Sequence, residues 1–149
     1  MTIPPGKVFR HSVRVPYAHT DQMGFVYYAH YFVYFEMART EMMREAKIPY
    51  TDLEKRGVML PVVEAACRYK LPARYDDLLT THSRCTELRG PRLRIEYEIR
   101  RGGELLATGH TVHVCTSLAG KVLRPVPELR ILLAEGPPDP EPRGDYLQG

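Results

Sequence analysis

A chain of 149 residues is long enough for one domain with a sizeable core and short for two. Its 21 basic and 18 acidic side chains leave a net charge of +3, too mild a field to argue for a nucleic-acid partner. The cysteines, Cys67, Cys85 and Cys115, are odd in number and form no CxxC pair, which argues against a zinc site or a disulfide framework and for reduced thiols in a cytoplasmic protein.

Met1 to Lys7 contains Pro4, Pro5 and Gly6 and no apolar run, so no signal peptide is expected. Val8 to Val15 alternates loosely and reads as a first strand, ended by Pro16. The stretch that organises the rest follows, from Tyr17 to Arg39. One isolated carboxylate, Asp21, precedes 14 residues without a formal charge, Gln22 to Phe35, well below the ~20 that a membrane span needs. Seven of the chain's 14 aromatic residues fall between Phe25 and Phe35.

Apolar residues at 31, 32, 35, 38 and 42 recur at helical spacing, which predicts a helix from about Ala29 to about Lys47, with Pro49 disfavouring its continuation. Val33, Tyr34 and Met37 add apolar character on the other faces, so the helix should be wrapped by the rest of the protein or by a partner. Its start is unusual. A helix leaves its first N–H groups without partners, and Ser, Thr, Asp or Asn normally caps them. None of the four occurs from Phe25 to Tyr31, although His30 offers an improvised partner. Open N–H groups at the positive end of a helix dipole suit an anion or a polarised carbonyl. Asp21 lies seven residues before Tyr28, within reach of the same spot. A carboxylate and donors aimed at one place are the minimum apparatus for attacking a carbonyl. The same residues also read as plain structure, because Asp21-Gln22-Met23-Gly24 has the Asp and Gly of a type I turn. Both readings stand on the residues alone.

Further along, Glu36 with Arg39 and Glu41 with Arg44 read as solvated pairs one turn apart. Thr51-Asp52-Leu53-Glu54 reads as a capping box and Gly57 as a stop, giving a short second helix. Val58 to Tyr69 is a long extended run with an irregularity at Pro61, and Leu78 to Leu88 is another. Leu93, Ile95, Tyr97 and Ile99 alternate strictly with charged residues, the pattern of a half-buried strand. Gly102-Gly103 supplies a hairpin turn, after which Leu105 to Ser117 returns as the last strand. One buried helix followed by antiparallel strands is an α+β layout with a curled sheet around a long central helix. Residues 1–135 form one domain on this reading, and 136–149, with prolines at 137, 138, 140 and 142, a disordered tail.

The run Thr20-Asp21-x-x-Gly24-x-Val26-Tyr27-Tyr28-Ala29-x-Tyr31, followed by Phe35-Glu36-x-Ala38-Arg39, resembles the signature of the 4-hydroxybenzoyl-CoA thioesterase-like hot-dog family. The Tyr17-to-Asp21 spacing and the Val13-Arg14-Val15 lead-in are similar to its short-chain and aromatic acyl-CoA branch, which includes the Tol–Pal-associated thioesterases. The likeness continues through Pro61-Val62-Val63-Glu64, Pro72 to Asp77, Gly109 to Val112 and Arg124 to Pro127. It implies a hot-dog fold and hydrolysis of an acyl-CoA thioester without metal or organic cofactor. It also implies that Asp21 acts as nucleophile or general base, that the backbone N–H of Tyr28 polarises the carbonyl, and that Tyr17, Gly24, Leu60, Pro61 and Val62 line the substrate. Two positions depart from the branch pattern: Tyr28 stands where many members carry His, and His30 where many carry Asn.

Arginines match phosphate geometry, and the loop residues Arg89 and Arg124 suit coenzyme A better than mid-strand Arg92 and Arg94. His110 and His113 lie three apart on a strand, hence on opposite faces, and cannot share a metal from it. Glu64 reads as a surface strand residue or as a second carboxylate reaching a neighbouring subunit's site. A hot-dog hydratase or dehydratase would want the G-D-x-N-P-x-H pattern, which is missing; a non-catalytic acyl-binding protein is the remaining alternative. The apolar run Val58 to Val63 is too hydrophobic for a solvent-facing edge, which predicts a homodimer or homotetramer with the site shared across the interface.

Overall fold

The protein is described here by a computed structural model covering residues 6–133. The expected tail, 136–149, lies outside the described residues. Five strands, β1 (Phe9–Arg14), β2 (Val62–Tyr69), β3 (Leu78–Arg89), β4 (Arg92–Arg101) and β5 (Glu104–Val114), form one curled antiparallel sheet in the order β1-β3-β4-β5-β2. Helix α1 (His30–Glu45) lies against it, a short α2 (Tyr50–Lys55) follows, and 3₁₀ turns occupy Tyr17–His19 and Pro127–Leu132. This is the α+β hot-dog arrangement.

The strict alternation in β4 has the consequence its period dictates: Leu93, Ile95, Tyr97 and Ile99 are all buried in the core. Phe35 of α1 stacks flat on Tyr97, with ring centroids 4.4 Å apart. Burying each such side chain contributes roughly 1.5–3 kcal/mol. The helix can come this close because position 109 of β5 is glycine. A Cβ there would lie 2.5 Å from both Phe35 Cε2 and the Ala66 carbonyl oxygen. Gly109→Ala would therefore lever α1 off the sheet.

Within this chain the helix buries Tyr34, Phe35, Met42 and Met43 and leaves Val33 42% exposed, so the chain itself wraps it only in part. Two expectations need correction. Arg39 is not half of a solvated pair with Glu36. It is buried, donating from Nε to the Tyr50 hydroxyl (3.0 Å) and from Nη1 to the Tyr97 hydroxyl (3.2 Å), because its row on the helix faces the sheet. Glu41 and Arg44 do pair at the surface. Finally, Thr51 is not the cap: α2 begins two residues earlier, with Pro49 at the N-cap, its carbonyl accepting from the Asp52 and Leu53 N–H groups, and no side-chain cap. The α2 C-terminus ends as anticipated, with Gly57 N–H bonded to Glu54 and Val58 N–H to Leu53.

The long run from Val58 divides. Only 62–69 pair as β2; Met59 makes an isolated bridge to Thr116, and a bulge falls between Val62 and Glu64. The β2 strand is an outer strand of the sheet and exposes Val62, Val63 and Tyr69.

Candidate active site

The chain from His19 to Tyr27 forms a miniature hairpin that carries Asp21 to the start of α1. Its rungs are the Asp21 N–H to Phe25 carbonyl (2.8 Å) and Tyr27 N–H to His19 carbonyl (2.8 Å) bonds, with Thr20 bridged to Val26. At the tip, Gly24 N–H closes the turn onto the Asp21 carbonyl at 3.0 Å. Gly24 has φ +81° with open space around a would-be Cβ, so glycine is needed there for its backbone conformation and not for room. The Asp21 side chain uses one oxygen, Oδ1, to accept from Met23 N–H (2.9 Å) and Phe25 N–H (3.2 Å). No donor among the described residues reaches Oδ2. The turn role and a free carboxylate oxygen thus coexist in one residue.

Helix α1 starts without a side-chain cap: Ala29 is its N-cap residue and makes no such bond. His30 does not improvise one either, since its Nδ1 is buried without a hydrogen-bond partner and its ring stacks on His19, centroids 4.2 Å apart. The N–H groups of His30 and Tyr31 fold back onto the carbonyls of Tyr27 (2.9 Å) and Tyr28 (3.3 Å). The N–H groups of Tyr28 and Ala29 have no acceptor among the described residues. Two adjacent open donors therefore stand at the positive end of a 16-residue helix. Beside them stand Tyr28 and Tyr27, rings 4.8 Å apart, while Tyr17, four residues before Asp21, sets its exposed ring edge to face on Tyr75 at 5.7 Å.

Two side chains here escaped the sequence reading. His19 bonds the Tyr34 hydroxyl through Nδ1 at 2.9 Å, and burial, with the neighbouring His30, pushes its pKa below the ordinary value. Tyr69, at the end of β2, donates its hydroxyl to the Tyr28 carbonyl at 2.9 Å. For His19 the advance signal was its place inside the aromatic motif; Tyr69, outside the motif, had none.

The remaining expected site residues do not gather here. Asp77 meets Val15 at the Asp21 end of the sheet (2.9 Å), while Arg89 closes β3 at the other end. Twelve residues of β3, at ~3.3 Å each, place the two ends roughly 40 Å apart along the strand. Leu60, Pro61 and Val62 are also at the far end, at the start of β2. Arg124 lines a cavity of about 520 Å³ there with Arg130, Gly90 and Pro91; Arg89 is beside it but not in its wall.

Leu60 is held by a buried polar chain. Its carbonyl can only accept, so His113 Nδ1 (2.9 Å) carries the ring proton. His113 Nε2 then accepts from Thr111 Oγ1 (2.8 Å), which accepts from the Tyr97 hydroxyl (2.7 Å), which accepts from Arg39. Every proton in the chain is fixed by its neighbour. His110 points to the other face, as its spacing requires, and its Nε2 lies 2.7 Å from Glu64 Oε2. Glu64 is thus a paired surface residue within this chain.

The thioesterase-like superfamily profile matches residues 15–134. The chain belongs to that superfamily. Among its relatives, acyl-CoA thioesterase YbgC of Haemophilus influenzae is 34% identical over 119 residues, covering 79% of this chain and 86% of the relative. The 1,4-dihydroxy-2-naphthoyl-CoA hydrolase of Synechococcus elongatus is 27% identical over 118 residues, covering 76% and 85%. In three dimensions this thioesterase-like chain is similar to the hypothetical protein TT1821 of Thermus thermophilus, with a TM-score of 0.79 and 38% identity over 83% of this chain and 96% of that one.

Proposed function

We propose that this protein hydrolyses acyl-CoA thioesters with short-chain or aromatic acyl groups to the free acid and coenzyme A, with Asp21 as the catalytic carboxylate. The observation that carries the reading is the division of labour at the helix start: Asp21 Oδ1 is tied into its turn, Oδ2 has no protein donor, and the Tyr28 and Ala29 N–H groups are open. A thioester carbonyl oxygen set against Tyr28 N–H would gain negative charge as a nucleophile adds, and such a donor typically contributes ~3 kcal/mol. Asp21 Oδ2 then either adds to the carbonyl carbon or takes the proton from an attacking water. Either route expels the CoA thiolate; where Asp21 itself has added, water then hydrolyses the acyl–aspartyl anhydride, releasing the free acid and restoring the carboxylate. Tyr17, Tyr27 and Tyr28 supply an aromatic wall suited to a planar acyl group. The test is thiol release from short-chain, long-chain and aromatic acyl-CoAs by the wild type and by Asp21→Asn. Asn keeps an oxygen for Met23 and Phe25 but is neither base nor nucleophile, so kcat should fall at least ~100-fold with the fold intact. Normal turnover in the folded Asn variant would remove Asp21 from the chemistry.

The working unit on this reading is a homodimer, alone or within a homotetramer. The open edge of β2 with its exposed Val62 and Val63 suits a two-fold antiparallel pairing with a second copy. Such pairing sets the start of one β2 against the end of the other. It brings Leu60, Pro61 and Val62 of one copy toward Asp21 and Tyr28 of its partner, uniting two halves that lie at opposite ends of one chain. Arg124, with Arg89 nearby, would then meet CoA phosphates. No helix among the described residues is long and apolar enough to cross a membrane, and the free cysteines suit a reducing, cytoplasmic setting. The Tol–Pal-associated branch fits the motif spacing around Tyr17 and Asp21.

A further inference from the structure

We infer that Tyr69 is a positioning residue for the hydrolysis, its hydroxyl holding and polarising the open amides at the start of α1. The inference rests on the proposed thioesterase reading and names a residue outside the motif that carries Asp21 and Tyr28.

The geometry is specific. The Tyr69 hydroxyl lies 2.9 Å from the Tyr28 carbonyl oxygen, and a carbonyl can only accept, so Tyr69 is the donor. Tyr69 is partly exposed, and a phenol with an ordinary pKa of about 10 holds its proton at neutral pH in any case, so the donor is always present. The ring is braced as well: it meets Tyr31 edge to face at 4.8 Å, and the Tyr31 hydroxyl accepts from Ala73 N–H at 3.2 Å. Strand β2, helix α1 and the Ala73 loop thus converge on one peptide.

Two effects follow. The Tyr28 carbonyl belongs to the peptide whose N–H is that of Ala29. Donation to the oxygen draws electron density from the amide and makes the Ala29 N–H a stronger donor. The peptide before Tyr28 is separately anchored, because the Tyr27 carbonyl accepts from His30 N–H at 2.9 Å. With Tyr69 fixing the peptide after it, Tyr28 is pinned on both sides and its own N–H is held in direction. Among the described residues the only other bond to the Tyr28 carbonyl, from Tyr31 N–H, is long at 3.3 Å. Without Tyr69 the first turn would be free to rock.

The test is Tyr69→Phe, which keeps the ring on Tyr31 and removes only the hydroxyl. With the best substrate from the acyl-CoA panel, kcat should fall roughly five- to tenfold, the scale of one lost hydrogen bond expressed in the transition state. KM should stay within about twofold, because the donors act on developing charge rather than on ground-state binding. In a ¹⁵N-labelled sample the Ala29 amide nitrogen should shift upfield while resonances of the distant β3–β4 hairpin hold still. Incorporating 3-fluorotyrosine at 69, a stronger donor with the same ring packing, should keep kcat at or above the wild-type value. Unchanged kcat in the Phe variant overturns the inference, as does a loss of kcat with the Ala29 amide unmoved. Should the Phe variant misfold, the 3-fluorotyrosine protein decides alone: kcat below wild type overturns the inference. A wild type inert toward the whole panel is a different failure, that of the thioesterase reading itself.

Discussion

The buried polar chain behind Leu60 makes stability depend on pH through one residue. His113 is wholly buried, and burial, with a smaller contribution from Arg39, drives its pKa down from 6.5 to about 4, against the opposing pull of the Leu60 carbonyl. Between those pH values the unfolded chain binds a proton at His113 that the folded protein refuses. The unfolded state binds more protons, so stability rises with pH across this window and is lost as pH falls through it. The gap between 6.5 and about 4, at roughly 1.4 kcal/mol per pH unit, gives an upper value of ~3.5 kcal/mol. The loss should be complete near pH 4, below which both states are protonated. The measurement is urea unfolding from pH 7.5 to pH 4, run on the wild type and on His113→Gln. Gln can still donate to Leu60 and accept from Thr111 but does not titrate. Carboxylates elsewhere contribute equally to both proteins, so the difference between the two curves isolates His113. That difference should shrink by ~2–3 kcal/mol on acidification. Two parallel curves would refute the fixed-proton network.

Other outcomes are expected at the site and the edge. Tyr28→Phe should retain most activity, since the proposed donor is the backbone N–H, whereas Tyr28→Pro removes that N–H and should abolish turnover while circular dichroism still reports the helix. Arg124→Ala should raise KM for acyl-CoA about tenfold, the scale of one charge-assisted bond, and leave the matching pantetheine thioester without nucleotide phosphates unaffected. Val63→Lys, at an exposed position on the open edge of β2, should weaken self-association in light scattering and lower activity with it; a fully active monomer would exclude a shared site.

The fold was largely legible because its signals are periodic. Leu93 to Ile99 declared a half-buried strand, the apolar positions from Tyr31 to Met42 declared the helix, and both lie where their periods put them. What failed depends on long-range partners. Arg39 looked like a surface pair because Glu36 is one turn away, yet its place is set by Tyr50 and by Tyr97, 58 residues on. Thr51 looked like a cap, but the helix starts earlier, on the carbonyl of Pro49. At the candidate site the local half, Asp21 with the uncapped helix start, was visible because a missing cap can be read along the chain. Tyr69 was not, because its bond to Tyr28 spans 41 residues and a tyrosine ending a strand carries no mark of its target.

The sequence posed Asp21 as either a turn residue or a catalytic one, and the geometry leaves room for both roles in one side chain. Its Oδ1 accepts two backbone N–H groups, which orients the carboxyl plane, while Oδ2 is left without a protein partner. A carboxylate free on both oxygens would rotate and have to be oriented in each turnover; one fixed by both would have no lone pair to spare. Fixing one oxygen through a turn closed by Gly24 would give the proposed carboxylate orientation and reactivity together. Structural and catalytic substitutions should therefore separate. Asp21→Asn should preserve unfolding temperature to within a few degrees, because the turn bonds survive, and still eliminate turnover. Asp21→Ala should lose both turn bonds and cost roughly 1–3 kcal/mol of stability in addition to activity. If Asn and Ala destabilise the protein equally, the oxygen assigned to the turn is not the one that holds it.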